Sequence, residues 1–549
     1  MLLTLLWNAV SVKISEINFQ IIPIMKKIIP YSLAAAFAFS AFSAYSGNMY
    51  FKNQGRFSED TSWALDESKT QDGKVPTYED TAVFYNVGGV SWITNIDTYV
   101  GNLILTKGAN LSFGNQVLNQ SVPANFTVNG AIKAQITDQR GEMVFGESFG
   151  DYEGTAAVEI NAGSLEVGCE VYDNRTFSSY VPASLAFKFQ SEQVTNATLN
   201  VGGDVKVGGV NVDGINAAAT LSLGLDNVNV AGVMHMASNG SGYTFVSFTK
   251  ECVLEVGGLS SLVDNKDVTI ANDAGKAYNS SIIFKNAAGT DCQYIGVIAD
   301  DGNNRNLEDV KGVVNITMDG DGTQRLYSSL KDNMEIKGSQ LGTYTVKRGR
   351  LFMDNSRIAS THRLAALVME GGEFGAAHYN STSIGTAYFK SGEIRGGGFA
   401  FENFESHNAL ELLMTDKIVF SETLAKSADT GKIGINFTSK DGAALDLANY
   451  DYVIAEDAES IENWIEIITA GDLSGFDLES KLGENVYDAN GDFYAIGVEN
   501  GVAIFRWVES LDNGYSLQVG FAQVPEPAAV AAIFGALALG FAALRRRRR

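Results

Sequence analysis

The chain has 549 residues, a formal net charge of −24 and only three cysteines, Cys169, Cys252 and Cys292. So acidic a chain repels nucleic acid and anionic lipid, which excludes a polyanion-binding role, and an odd, widely spread set of cysteines excludes a disulfide framework or paired zinc-ligand spacing. Glycine is abundant at 57 residues and proline scarce at 7, a balance that suits many tight turns and not long proline-rich linkers.

The first interpretable segment starts at Met25. "MKKIIPYSLAAAFAFSAFSAYSG" has a basic start at Lys26 and Lys27, an apolar run, and small residues at Ala41, Ser43, Ala44 and Ser46, the layout of a secretory signal peptide cut near Ser43 or Ser46. Residues 1–24 ahead of it fit no signal design, because Lys13 and Glu16 interrupt their apolar run. We therefore read residues 1–46 as the signal region with Met25 as the true start; the alternative is a genuine first helix over Met1–Ile24. Without residues 1–46 and the terminal arginines, 32 basic and 63 acidic residues remain, about −31.

Residues 47–440 read as an array of short strands. Period-two alternation recurs in pieces closed by Gly, Asn or Asp: "SLEVG" at Ser164, "ATLNVGG" at Ala197, "DVKVGG" at Asp204, "ATLSLG" at Ala219 and "VLEVGG" at Val253. In "ATLNVGG", Leu199 and Val201 point to one face and Thr198 and Asn200 to the other. "ATLSLG" repeats the layout from Ala219, a spacing that fits one coil of a β-solenoid, whose rungs bury their apolar faces only by stacking. A string of β-sandwiches is the alternative, since short strands at regular close spacing with turn signals also suit that architecture. The stretch from Arg56 to Phe84, with Trp63, Pro76 and the strand entry Asp80-Thr81-Ala82-Val83-Phe84, together with "VGNLILTKGANLSF" after Ile96, resembles passenger proteins with autotransporter-associated β-strand repeats. That resemblance implies a right-handed β-helix-like solenoid. An autotransporter ends in a membrane barrel with a terminal aromatic residue, which this chain lacks, so self-translocation is not expected.

Near Asp441 the composition turns acidic and aromatic, which predicts a C-terminal β cap or small sandwich over residues 441–523. Within it, "ESIENWIEIITAG" from Glu459 reads as one short helix or as a strand with a turn. "DANGDFYAIGVE" places Asp488, Asn490, Asp492 and Glu499 at positions 1, 3, 5 and 12 of an EF-hand frame, but Phe493 stands where the sharp turn needs glycine, so it is a weak calcium candidate and first of all a β-turn.

No catalytic constellation stands out. His235, His362, His378 and His407 are isolated, no G-x-S-x-G provides a nucleophile elbow, and no metal or cofactor is expected. The enzymatic alternative is a polysaccharide-active β-helix, a lyase or glycoside hydrolase, using paired carboxylates in a lateral groove. A groove with two convergent carboxylates beside exposed aromatics would favour it; a smooth polar surface would favour a scaffold.

The C-terminus carries an address. Val524-Pro525-Glu526-Pro527 is followed by Ala528–Leu544, an uncharged run just long enough to span a bilayer as a helix, and by Arg545, Arg546, Arg547, Arg548 and Arg549, which by the positive-inside rule hold this end in the cytoplasm. The three elements in this order resemble the PEP-CTERM sorting signal, here residues 524–549. The resemblance implies export by the general secretory machinery, a transient stay in the inner membrane, recognition of Pro525, Glu526 and Pro527 by an exosortase, and release to the cell surface or extracellular matrix, where extracellular polysaccharide is a further partner. The expectation is thus an all-β, elongated β-solenoid with a structural or adhesive role.

Overall fold

The structure is a computed structural model. It describes residues 47–523 except for single residues and short stretches within them, the longest being 328–340, 172–182, 356–364 and 148–155. The signal region, His362, His378, His407, Val524–Pro527, the apolar run and Arg545–Arg549 lie outside the described residues. No helix among the described residues is long and apolar enough to cross a membrane. The chain divides into Met1–Asn48, of which only Gly47 and Asn48 are described, and one unit from Met49 onward.

That unit is almost all β, and most of its strands pair in parallel with the strand one coil away. Alternation explains the pairing. In Val194–Val201, Leu199 and Val201 are buried while Thr198 and Asn200 stay half-exposed, and Leu199 stacks in register on Ile160 behind it and Val228 ahead. A single strand could bury neither face; the stack buries one of them continuously. The wetted face forms its own ladders, with Asn229 donating to Asn200 Oδ1 at 2.8 Å and Asn200 to Asn161 Oδ1 at 3.0 Å.

Three sheets share the work. The first runs the length of the unit. A second, from Gly55–Arg56 to Val297–Ala299, backs its N-terminal part. A third, of seven strands from Asp291–Ile295 to Phe493–Ile496, backs the C-terminal part. The third sheet starts against Val253–Ser261 of the first: Ile295 N–H donates to Ser261 Oγ at 2.6 Å, and buried Gln324 bonds both Leu259 N–H and Leu259 C=O at 2.9 Å.

The coil does not keep one length. Ala82 pairs with Leu103, whereas Ile160 pairs with Leu199, so the second coil is nearly twice as long as the first. "ATLNVGG" and "ATLSLG" do not stack on each other: the first lies in the first sheet, and the second lies in the second sheet, paired with Ala183–Lys188 and Thr244–Phe248. Their similarity reflects the same alternation on two sides of one coil.

Corners explain the glycine content. Long strands of the first sheet bend at glycine: a Cβ on Gly163 would lie 2.6 Å from the Asn129 carbonyl oxygen of the coil beneath. Further on, Gly372 has φ +65° and a Cβ there would lie 2.6 Å from the Gly349 carbonyl oxygen. Left-handed backbone and close stacking both demand glycine. Gly372→Ala is expected to lower stability by about 1–3 kcal/mol, read from the urea midpoint at constant m-value.

Both ends switch to antiparallel pairing. At the N-terminal end Phe51 pairs with Trp63, whose indole is fully buried and donates to Phe57 C=O at 2.8 Å. The resemblance-bearing residues lie here: Pro76 is buried, and buried Asp80 accepts from the Thr77 N–H at 2.9 Å just before strand Thr81–Phe84. At the other end Ile465–Ser474 pairs antiparallel with Gly514–Ala522, which pairs antiparallel with Val502–Ser510. "ESIENWIEIITAG" resolves into a 3-10 turn at Ala458–Ser460 followed by this strand. The composition change at Asp441 coincides with no break in stacking, because Ile465–Ser474 and Phe493–Ile496 still stack in parallel on the preceding coil.

Candidate functional site

The third sheet presents a lateral cleft of about 470 Å³, open on one side, on its outward face. Its floor follows from register. Asp291, Thr323, Arg350 and Glu373 each open a strand, and they pair directly in that order, so their side chains form one ladder. Two residues along, the ladder reads Gln293, Arg325, Phe352, Gly375. Gly375 leaves room for the Phe352 ring, since a Cβ there would sit 2.5 Å from Phe352 Cδ1. The Arg325 guanidinium packs on the Phe352 ring at 4.6 Å from its centroid.

Arg325 is the centre of the cleft. Its side chain is 3% exposed; Nε donates to Asp291 at 2.9 Å, and its two terminal nitrogens reach the Glu402 oxygens at 2.7 and 3.1 Å. Glu402 is equally buried at 3%. Arg350 Nε lies 2.8 Å from Glu373, whose two oxygens also accept from Asn436 Nδ2 at 2.8 and 3.1 Å. Burial opposes the charge on Arg325, but the hydrogen bonds and attraction of Glu402 and Asp291 outweigh it and hold its pKa above the ordinary value. Burial pushes the neighbouring Tyr327 hydroxyl up to about 12. Beyond Arg325 the same face continues as a buried apolar patch of Ile295, Tyr327, Phe352, Ala377 and Ala400.

Chemically, the central carboxylates are hydrogen-bond acceptors. Each oxygen of Glu402 faces an Arg325 nitrogen, and each oxygen of Glu373 accepts from Asn436. Exposed Tyr494 and Ile496 flank the far end of the sheet, across Gly434.

The weak calcium frame is spread over several tasks. Asp488 Oδ1 accepts from the Asn490 N–H at 2.9 Å, and Asn490 Oδ1 from the Phe505 N–H at 3.0 Å. Asp492 is buried, accepting from Lys426 Nζ at 2.6 Å and from the Asp477 N–H at 2.9 Å. Glu499 lies in the separate strand Val498–Glu499, paired with Leu445–Asp446, and Phe493 is buried in the core. Among the described residues no three His, Cys, Asp or Glu side chains converge on a common point for a metal ion. His235 is half-buried on strand Asn227–Ala237, with Nδ1 2.7 Å from Ser260 Oγ and Nε2 3.6 Å from Asp204. All three cysteines are free thiols. Burial pushes Cys169 up to about 11 and also raises Cys252 and Cys292, which keeps them protonated and poor nucleophiles at neutral pH.

The cleft was not legible as a motif. Arg325 and Glu402 are 77 residues apart. The usable signal is in "TQRLY", where Gln324 falls on the same face as core residue Leu326 and Arg325 sits between core positions; a polar residue on an apolar face marks a built contact.

Fold and cleft together define a β-helix-like protein with an ion-paired lateral groove. Comparison with protein-family models, with curated proteins and with solved structures found no match in any of the three.

Proposed function

We propose that this chain is an exported, exosortase-sorted protein whose body is a right-handed β-solenoid with a C-terminal β cap, acting at the cell surface or in the extracellular matrix in a structural or adhesive role without a catalytic site. The observation that carries the sorting half is the ordered C-terminal sequence: Val524-Pro525-Glu526-Pro527, the uncharged run, then Arg545–Arg549. The signal segment from Met25 starts export through the general secretory machinery, the marginal span pauses the chain in the inner membrane, and the arginines fix its orientation. The scaffold half is supported by parallel stacking from Thr81 to Ile496 with antiparallel strands at both ends, and by a cleft whose central carboxylates are occupied by arginine N–H groups.

Cell fractionation tests the sorting half. Wild type is expected at the surface or in the medium in a shortened form, whereas a variant with Pro525→Ala, Glu526→Ala and Pro527→Ala stays uncut in the inner membrane. If the variant reaches the same place in the same processed form, the sorting reading fails.

A further inference from the structure

We propose that Ser260 is an activated hydroxyl that takes up one acyl group per chain from an activated donor, an acyl group carried on a good leaving group such as a thiolate or a phenolate. His235 is isolated in the sequence, but stacking brings it between two partners. Lys206, His235 and Ser260 pair directly in that order on the parallel strands Val205–Gly208, Asn227–Ala237 and Val253–Ser261, so their side chains share one outward ladder. His235 Nδ1 lies 2.7 Å from Ser260 Oγ, and Nε2 faces Asp204 Oδ2 at 3.6 Å. Asp204 is itself held in place. Its Oδ1 accepts from the Val233 N–H at 2.9 Å, and Gly232 leaves the carboxylate room, since a Cβ there would collide with that oxygen. A nucleophile bonded to a base that a third group orients is the arrangement that activates a hydroxyl.

The carboxylate beside Nε2 favours the tautomer with its proton on that nitrogen, which leaves the Nδ1 lone pair to accept the Ser260 O–H. As Oγ attacks the acyl carbon, its proton passes to Nδ1 and the new C–O bond forms. The bond to the leaving group then breaks, and that group departs with the proton from Nδ1. The donor class follows from what surrounds the nucleophile. The adjacent Leu259 N–H is spent on Gln324 Oε1 at 2.9 Å and does not hold a developing oxyanion, so the donor brings its activation in its leaving group. For the same reason the product lasts: a Ser260 ester would have to expel an alkoxide, a far poorer leaving group than a thiolate. Uptake is therefore one event per chain, and it rests on neither half of the function proposed above. Access is available at the end of the ladder. The next parallel strand, Asn279–Phe284, pairs with Val253–Val256, so among the described residues the ladder stops at Ser260, which stays half-exposed.

The test incubates the full-length protein with p-nitrophenyl acetate at neutral pH and locates acetyl groups by peptide mass spectrometry. Ser281, a half-exposed serine of the next parallel strand, serves as the reference within each sample. Ser260 is expected to acetylate at least about a hundredfold faster than Ser281, and His235→Gln, which removes the base, lowers that ratio by about a hundredfold. Asp204 is a positioning residue: Asp204→Asn lowers the ratio less, and Asp204→Glu, which keeps the charge, restores part of it. Because both serines are read in the same chain, a loss of folding moves both rates and leaves no selective fall at Ser260. The proposal is overturned if wild-type Ser260 reacts no faster than Ser281, if His235→Gln leaves the ratio unchanged, or if the acetyl group leaves Ser260 as fast as it arrives. None of these outcomes changes where the variant at Pro525, Glu526 and Pro527 fractionates, so the two proposals fail separately.

Discussion

Glu402→Ala lowers the unfolding free energy by about 3–5 kcal/mol, because it leaves the Arg325 guanidinium as a buried charge without its main partner. The remaining contact to Asp291, which is about one-third exposed, is too wet to compensate. Replacing both partners with apolar residues of similar size, Arg325→Met with Glu402→Leu, is expected to restore much of the loss, since the pair's own attraction largely offsets its desolvation. Urea denaturation of the two single variants and the double variant gives the coupling directly. A Glu402→Ala protein that unfolds at the wild-type midpoint would show that the network carries little of the fold.

Phe145→Ala is expected to cost a similar amount, about 3–5 kcal/mol, by leaving a cavity between two sheets. Phe145 comes from strand Met143–Glu147 of the second sheet and is fully buried. Its ring lies 5.8 Å from Phe187 and 6.1 Å from Phe113 in the strands on either side, and meets Phe126 of the first sheet edge-on at 5.1 Å. Three rings on two sheets leave little freedom to collapse into the space. In a stacked architecture the damage is local, so hydrogen exchange should rise in Asn110–Phe113, Met143–Glu147 and Ala183–Lys188 well before it rises near Phe374. Uniform loss of protection along the chain would contradict nearest-neighbour stability.

Much of the strand content is legible locally, because alternation in pieces such as "ATLNVGG" and "VLEVGG" is a property of consecutive residues. The coil length is not. The interval between two similar strands cannot say whether they stack or face each other across one turn, and here the strands lie in different sheets. The same limit hides the cleft: Asp291, Arg325, Arg350, Glu373 and Glu402 come from successive coils of unequal length, and no spacing rule joins them. The calcium frame illustrates the converse, since residues evenly spaced in one stretch go to different partners in the fold, Asp492 to Lys426 among them. The three-part C-terminal signal is readable because it is sequential and needs no fold to assemble.

The unequal coils stacked in parallel give the body a mechanical character. Ladder hydrogen bonds run from coil to coil, so a pull on its two ends loads each contact in turn and peels turns away one after another. A coil such as the one from Leu254 to Ile282 adds ~4.8 Å to the stack when wound but roughly 95 Å when drawn straight. Each released turn therefore lengthens the chain about twentyfold over the space it occupied, dissipating tension in small steps while the remaining turns hold their shape.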